Sequence, residues 1–151
     1  MLLLTLAALI PPPPDWTPPR ASGPGNLCGT RFTLAMVAGE TVRADWPGEI
    51  FINDVFGTYR VTTPAGEVVI TENGSRTRPT GHSHPFEAGA VTFSAYADGA
   101  YAFAVQDSET VKAVTVRFPD GTSEEAARAL LSRMGAGRPA ADLACLSPEN
   151  R

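Results

Sequence analysis

Lysine is almost absent from this chain. Of twelve basic residues in 151, only Lys112 is not arginine, and there are just two cysteines, two histidines and two tryptophans. The apolar run Met1–Ile10, broken only by Thr5, is half of the roughly 20 residues a helix needs to cross a bilayer. A stable membrane span is therefore not expected. The net charge is −4 with no basic stripe or polybasic tail, which weighs against nucleic acid and anionic membranes as partners. The two cysteines form no Cys-x-x-Cys and no zinc-ligand spacing, so dithiol redox catalysis and a structural zinc site lack support. There is no Gly-x-Ser-x-Gly elbow, no phosphate-cradling glycine loop and no His-Glu-x-x-His helix.

What is present begins at the N-terminus. Residues 1–10 have the apolar character of a signal peptide, although no basic residue precedes them and no clean small-x-small site follows. Residues 11–27 form a proline-rich linker, holding seven of the fourteen prolines and expected to lie in extended polyproline II. The order of leader, stalk and first cysteine points to export, into a periplasm or a secreted setting. The scarcity of lysine beside abundant alanine, glycine and proline points to a GC-rich bacterial genome. A cytoplasmic protein with an apolar N-terminus is the alternative.

Cys28 and Cys145 bracket the remaining region, and residues 28–146 are expected to form a single β-rich domain followed by a tail, 147–151. About 120 residues suffice for one real core. In an oxidising compartment the two cysteines should form one disulfide. Closing so long a loop would stabilise the fold by about 4–5 kcal/mol in the chain-entropy view. In the cytoplasm they would instead be two buried thiols.

From Arg31 to Phe118 apolar residues recur with period two. Phe32, Leu34 and Met36 alternate with Thr33, Ala35 and Val37, and Ala38-Gly39-Glu40 turns the chain into Thr41–Asp45. Ile50–Ile52, Thr58–Thr63, Glu67–Thr71, Ala90–Ala97, Ala100–Val105 and Val111–Phe118 supply further strands. Asp98-Gly99 carries the signature of a two-residue type I′ hairpin turn, which would turn Val91, Phe93, Tyr101 and Phe103 inward. These strands predict a mainly β fold, an antiparallel β-sandwich or small barrel of seven or eight strands. One C-terminal α-helix should pack on it. Thr122-Ser-Glu-Glu125 has capping-box form, Ala127, Leu130, Leu131 and Met134 make an apolar stripe, and Gly135 is a stop. Pro139–Cys145 could add a helical turn that carries Cys145 to its partner.

Chemistry is invited only by Asn73–Gly89, seventeen residues without strand or helix periodicity. This stretch holds Arg76, Arg78, His82 and His84, nominated as ligand-binding residues because arginine forks suit carboxylate and phosphate. His82-Ser83-His84 can project two imidazoles to one side, and Glu87 follows, so His82, His84 and Glu87 are the candidate metal ligands, with zinc the candidate ion. The two histidines and glutamate resemble the metal motif of cupins. Glu87 comes one residue too early for that motif, and no third histidine exists, so Glu87, Asp98 or Glu72 would have to complete a ligand set.

Two functional readings follow. The first is an exported, small β-rich binding or envelope-accessory module, not an enzyme, whose partner is a protein or a small anionic ligand, with no cofactor. The second is a small metal-dependent enzyme or metal-binding protein built on His82 and His84. No catalytic acid–base pair can be named from the sequence.

Overall fold

A computed structural model describes residues 18, 20–45, 50–51, 54–55, 57–72, 79, 81–107 and 110–146. The leader-like segment, residues 11–17 and 19 of the proline-rich linker, Arg76, Arg78 and the tail lie outside the described residues.

Among the described residues the protein is mainly β, with one helix near the C-terminus. Along the chain run β1 (Arg20–Ser22), β2 (Gly25–Cys28), β3 (Phe32–Met36), β4 (Thr41–Ala44), β5 (Ile50–Phe51), β6 (Asp54–Val55) and β7 (Gly57–Thr63). They are followed by β8 (Gly66–Glu72), β9 (Ser83–Ala88), β10 (Val91–Tyr96), β11 (Ala100–Asp107), β12 (Thr110–Arg117), helix α1 (Glu124–Leu131) and β13 (Met134–Ala136). An antiparallel sheet of eight strands has the order β1-β4-β7-β8-β12-β11-β10-β9, a second of three has the order β13-β3-β2, and β5 pairs with β6.

The large sheet is open, with β1 and β9 as its edges, so the small-barrel alternative gives way to two sheets sharing one core. The strand number exceeds the expected seven or eight. Several of the added strands are two to four residues long, too short to show a period. The folded unit also starts earlier than Cys28, because β1 and the first residues of β2 come from the proline-rich stretch.

Alternation explains the core. From β3, Phe32, Leu34 and Met36 point inward, and Val61, Val68, Ile70, Val114 and Val116 meet them from the large sheet. Ala127, Leu130, Leu131 and Met134 close the same cluster. Burying each larger aliphatic or aromatic side chain contributes about 1.5–3 kcal/mol, which is ample to hold two sheets together.

Val91, Phe93 and Phe103 are buried as expected and Tyr101 half-buried, its ring edge-on to Phe86 at 5.0 Å and Phe118 at 5.6 Å. The turn between β10 and β11 differs from the expected two-residue form. Gly99 N donates to Tyr96 O at 3.1 Å, which puts Ala97 and Asp98 at the centre of the turn. Gly99 follows at φ +84°, making a three-residue loop. The Asp98 carboxylate accepts from Ala100 N at 3.1 Å, and this local bond selects the longer loop.

The chain passes between the sheets twice at one corner, from β1 to β2 and from β3 to β4. Ala38–Glu40 therefore separates β3 from β4 into different sheets rather than pairing them. Gly23, at the first crossing, has no room for a side chain, since a Cβ would lie 2.2 Å from Val37 O.

Helix α1 begins one residue later than the Thr122 capping box suggests. Ser123 is the N-cap, accepting from Ala126 N at 3.1 Å, while the Thr122 hydroxyl donates back to Pro119 O at 2.6 Å. The helix stops at Leu131, before Gly135, and Met134 continues the apolar stripe from a strand. After β13 the chain makes a turn at Ala140–Leu143 and then lies beside β2, where Cys145 bridges Asn26 in parallel. Cys28 and Cys145 are joined by the expected disulfide.

Candidate functional site

The nominated histidines fall on or beside a strand. Ser83–Ala88 forms the edge strand β9, paired with β10, so the last third of the expected loop is regular structure. Pro85 masks this in the sequence, yet proline is tolerated at a sheet edge because its missing N–H is not needed there. Alternation turns Phe86 and Ala88 inward and leaves Pro85 and Glu87 on the opposite face. His84 shares the parity of Phe86, whereas Glu87 lies on the other side of the strand, so β9 does not converge the three nominated ligands. His82, His84 and Glu87 are all exposed. Among the described residues, no three His, Cys, Asp or Glu side chains gather as metal ligands.

The other two acids considered as metal ligands are engaged elsewhere. Asp98 pairs with Arg117 at 3.1 Å. Glu72, at the end of β8, is 1% exposed, and its Oε1 accepts from Arg31 N at 2.6 Å. The Thr30 amide also donates to this carboxylate, and Tyr59 Oη lies 3.5 Å from Oε2. Burial pushes the Glu72 carboxyl above its ordinary value despite the two amides and the nearby Arg31 charge, which pull the other way. Burial, with the Glu72 charge and hydrogen bond, raises the Tyr59 phenol to about 12. This geometry makes the cluster a structural clasp, in which a carboxylate of the large sheet caps the turn between β2 and β3.

A different arrangement offers itself to a ligand. Arg20, Arg43 and Arg60 stand directly opposite one another on β1, β4 and β7. The intervening residues Ala21, Val42 and Val61 are buried in the same register, so all three arginines occupy the outer face. Two residues along each strand a second row, Ser22, Thr41 and Thr62, runs parallel to the first and continues to Glu67 on β8. These rows line a groove of about 270 Å³.

Arg60 is held from both sides. Its Nε donates to Asp45 at 2.8 Å and its Nη1 to Glu67 at 3.0 Å, and these two bonds raise it above the ordinary guanidinium value. Arg43 Nε lies 3.6 Å from Asp45. The arginine and hydroxyl rows were not legible in the sequence, because forty positions separate Arg20 from Arg60 and only strand pairing brings them together. The one available signal was the alternation that places Arg43 and Arg60 opposite Val42 and Val61.

Guanidinium forks at strand spacing can take planar oxyanions two oxygens at a time. The side chains of Arg43 and Arg60 are 42% and 34% exposed, so water screens them. A single exposed ion pair is worth about 0.2–1 kcal/mol, far from the roughly 4 kcal/mol of millimolar binding. The groove can hold an anion only by engaging several groups together. No protein-family model matches this chain, and no match was found among curated proteins or solved structures.

Proposed function

We propose that this protein is an exported, non-catalytic binding module that captures an anionic ligand in the groove lined by Arg20, Arg43 and Arg60. The observation that carries this reading is the cross-strand register of three arginines on the outer face of an open sheet. Export to the periplasm or outside the cell rests on the leader-like sequence and on the disulfide, which persists in oxidising compartments. Among the described residues, no helix is long and apolar enough to cross a membrane. The bacterial origin suggested by composition fits an envelope-accessory role.

The test is a titration of the full chain with citrate, followed through the arginine side-chain NMR signals. The Nε–Hε resonances of Arg20, Arg43 and Arg60 should move together and saturate in the millimolar range, the weak binding expected of exposed pairs. The movement should shrink in sodium chloride at about 0.5 M, because screening at this order of ionic strength reaches exposed charges. Signals that stay in place, or that move no more than an exposed arginine outside the groove such as Arg138, would overturn the reading.

A further inference from the structure

We infer that the groove takes a linear oligomer of uronic acid, a sugar chain with one carboxylate on each unit, laid across β1, β4 and β7. This rests on the anion-binding reading above and adds the class of ligand. The arginine row repeats at the spacing of adjacent strands, about 5 Å; Arg60 already gives Nε to Asp45 and Nη1 to Glu67, so Arg20 and Arg43 supply the forks and Arg60 stands beside them as a fixed charge. Beside it, about 7 Å along the strands, stands the row of Ser22, Thr41 and Thr62. Hydroxyl side chains both donate and accept, which matches the hydroxyls of a sugar ring and is wasted on a bare polyanion. Glu67, opposite Thr62 on β8 and paired with Arg60 at 3.0 Å, ends the hydroxyl row on that side.

Screening supplies the reason for an oligomer. One carboxylate on one exposed arginine is held weakly. Linked carboxylates make the second and third contacts intramolecular, at high effective concentration. An acidic peptide carries its carboxylates on flexible side chains, which cost entropy to fix, and those carboxylates bring no donor to the hydroxyl row. Triphosphate packs its charges more tightly than the strands are spaced and leaves the hydroxyl row unused.

The experiment is calorimetric titration of the full chain with galacturonic acid and its tri- and hexamer, hexaglutamate, sodium triphosphate and a neutral galactose oligomer. Affinity should rise about tenfold or more from monomer to trimer, since each added exposed pair contributes a few-fold and linkage multiplies them. Arg20→Gln/Arg43→Gln should abolish that rise. Thr41→Val/Thr62→Val should weaken the uronate trimer at least about threefold, as loss of neutral hydrogen bonds predicts. Unchanged far-ultraviolet circular dichroism identifies folded variants, and for any that fails to fold the ligand-length series on the parent decides alone. A flat length series, or hexaglutamate or triphosphate binding the parent as tightly as the uronate trimer, overturns the inference. Citrate binding with a flat uronate series leaves the anion-binding reading standing and removes only the ligand class.

Discussion

Glu40 and Arg133 form a two-pronged ion pair, Nη2 to Oε1 at 2.7 Å and Nη1 to Oε2 at 3.0 Å, with Glu40 only 3% exposed. Glu40 also accepts from Val37 N at 3.0 Å, and its carbonyl accepts from Gly23 N at 2.9 Å. Arg133 Nη1 reaches Ala35 O at 2.6 Å as well. The pair therefore fastens the segment after α1 to the corner where the chain twice changes sheets. Removing Arg133 leaves a buried carboxylate uncompensated. Arg133→Met should cost about 3 kcal/mol, the lower part of the range for broken buried pairs, since Arg133 keeps some exposure. Burial by itself would raise the Glu40 carboxyl, but the Arg133 hydrogen bond, the Val37 amide and the Arg133 charge outweigh it and hold it below 4.5. This stability is present above about pH 4.5 and lost as pH falls through the lower folded value. Urea denaturation from about pH 3 to 7 should show that acid-side loss in the parent and a flatter profile in Arg133→Met.

Glu72 has the opposite sign. Its folded value lies above 4.5, so the native state holds the proton more tightly than the unfolded chain. Stability from this group is full below about pH 4.5 and declines as pH rises through the folded value. Glu72→Gln keeps an acceptor for the turn amides and should remove the decline. Glu72→Ala strands those amides and should cost about 1–3 kcal/mol. Denaturant titrations of the two variants at about pH 4 and 7 check both statements.

The Cys28–Cys145 bond spans 117 positions. Thiol titration of the denatured, unreduced protein should find no free thiol, and dithiothreitol should lower the Tm. Cys28→Ser/Cys145→Ser should lose about 2–5 kcal/mol, the usual cost of removing a native bridge.

Phe93 and Phe103 meet edge to face at 5.5 Å, both nearly fully buried. Truncating either to Ala should cost about 3–5 kcal/mol. A double-mutant cycle should return about 0.5–1.5 kcal/mol of coupling for the ring pair. A Cβ at Gly99 meets no atom within 4 Å, so the loss in Gly99→Val, at least about 1–2 kcal/mol, would come chiefly from the positive φ. Equilibrium unfolding of the four variants measures each.

The fold was legible wherever a residue's neighbours in sequence decide its environment. Period two in β3 and β10 announced their buried faces, and the spacing of Ala127, Leu130 and Leu131 announced the helix. Pairing across the chain was not legible. Nothing in Arg20–Ser22 says that it will lie beside β4, and Pro85 hides an edge strand because proline is penalised only where its N–H is required. The same limit applies to the site. His82 and His84 attract attention by proximity along the chain, whereas the arginine row exists only through register. In the sequence Glu72 stands out only as a spare metal ligand and Glu40 only as part of a turn, because burial of a charge depends on donors contributed by distant segments.

The staple between β2 and the closing segment has a mechanical consequence. Tension applied to the chain before Cys28 and after Cys145 runs through the covalent bond, not through the sheets it encloses. Among the described residues, β1, the start of β2 and the seat of Leu146 against Gly25 lie outside that circuit. Pulled on at those two points, the protein would shed those few residues, Ala21 among them, and keep the rest of its core unloaded.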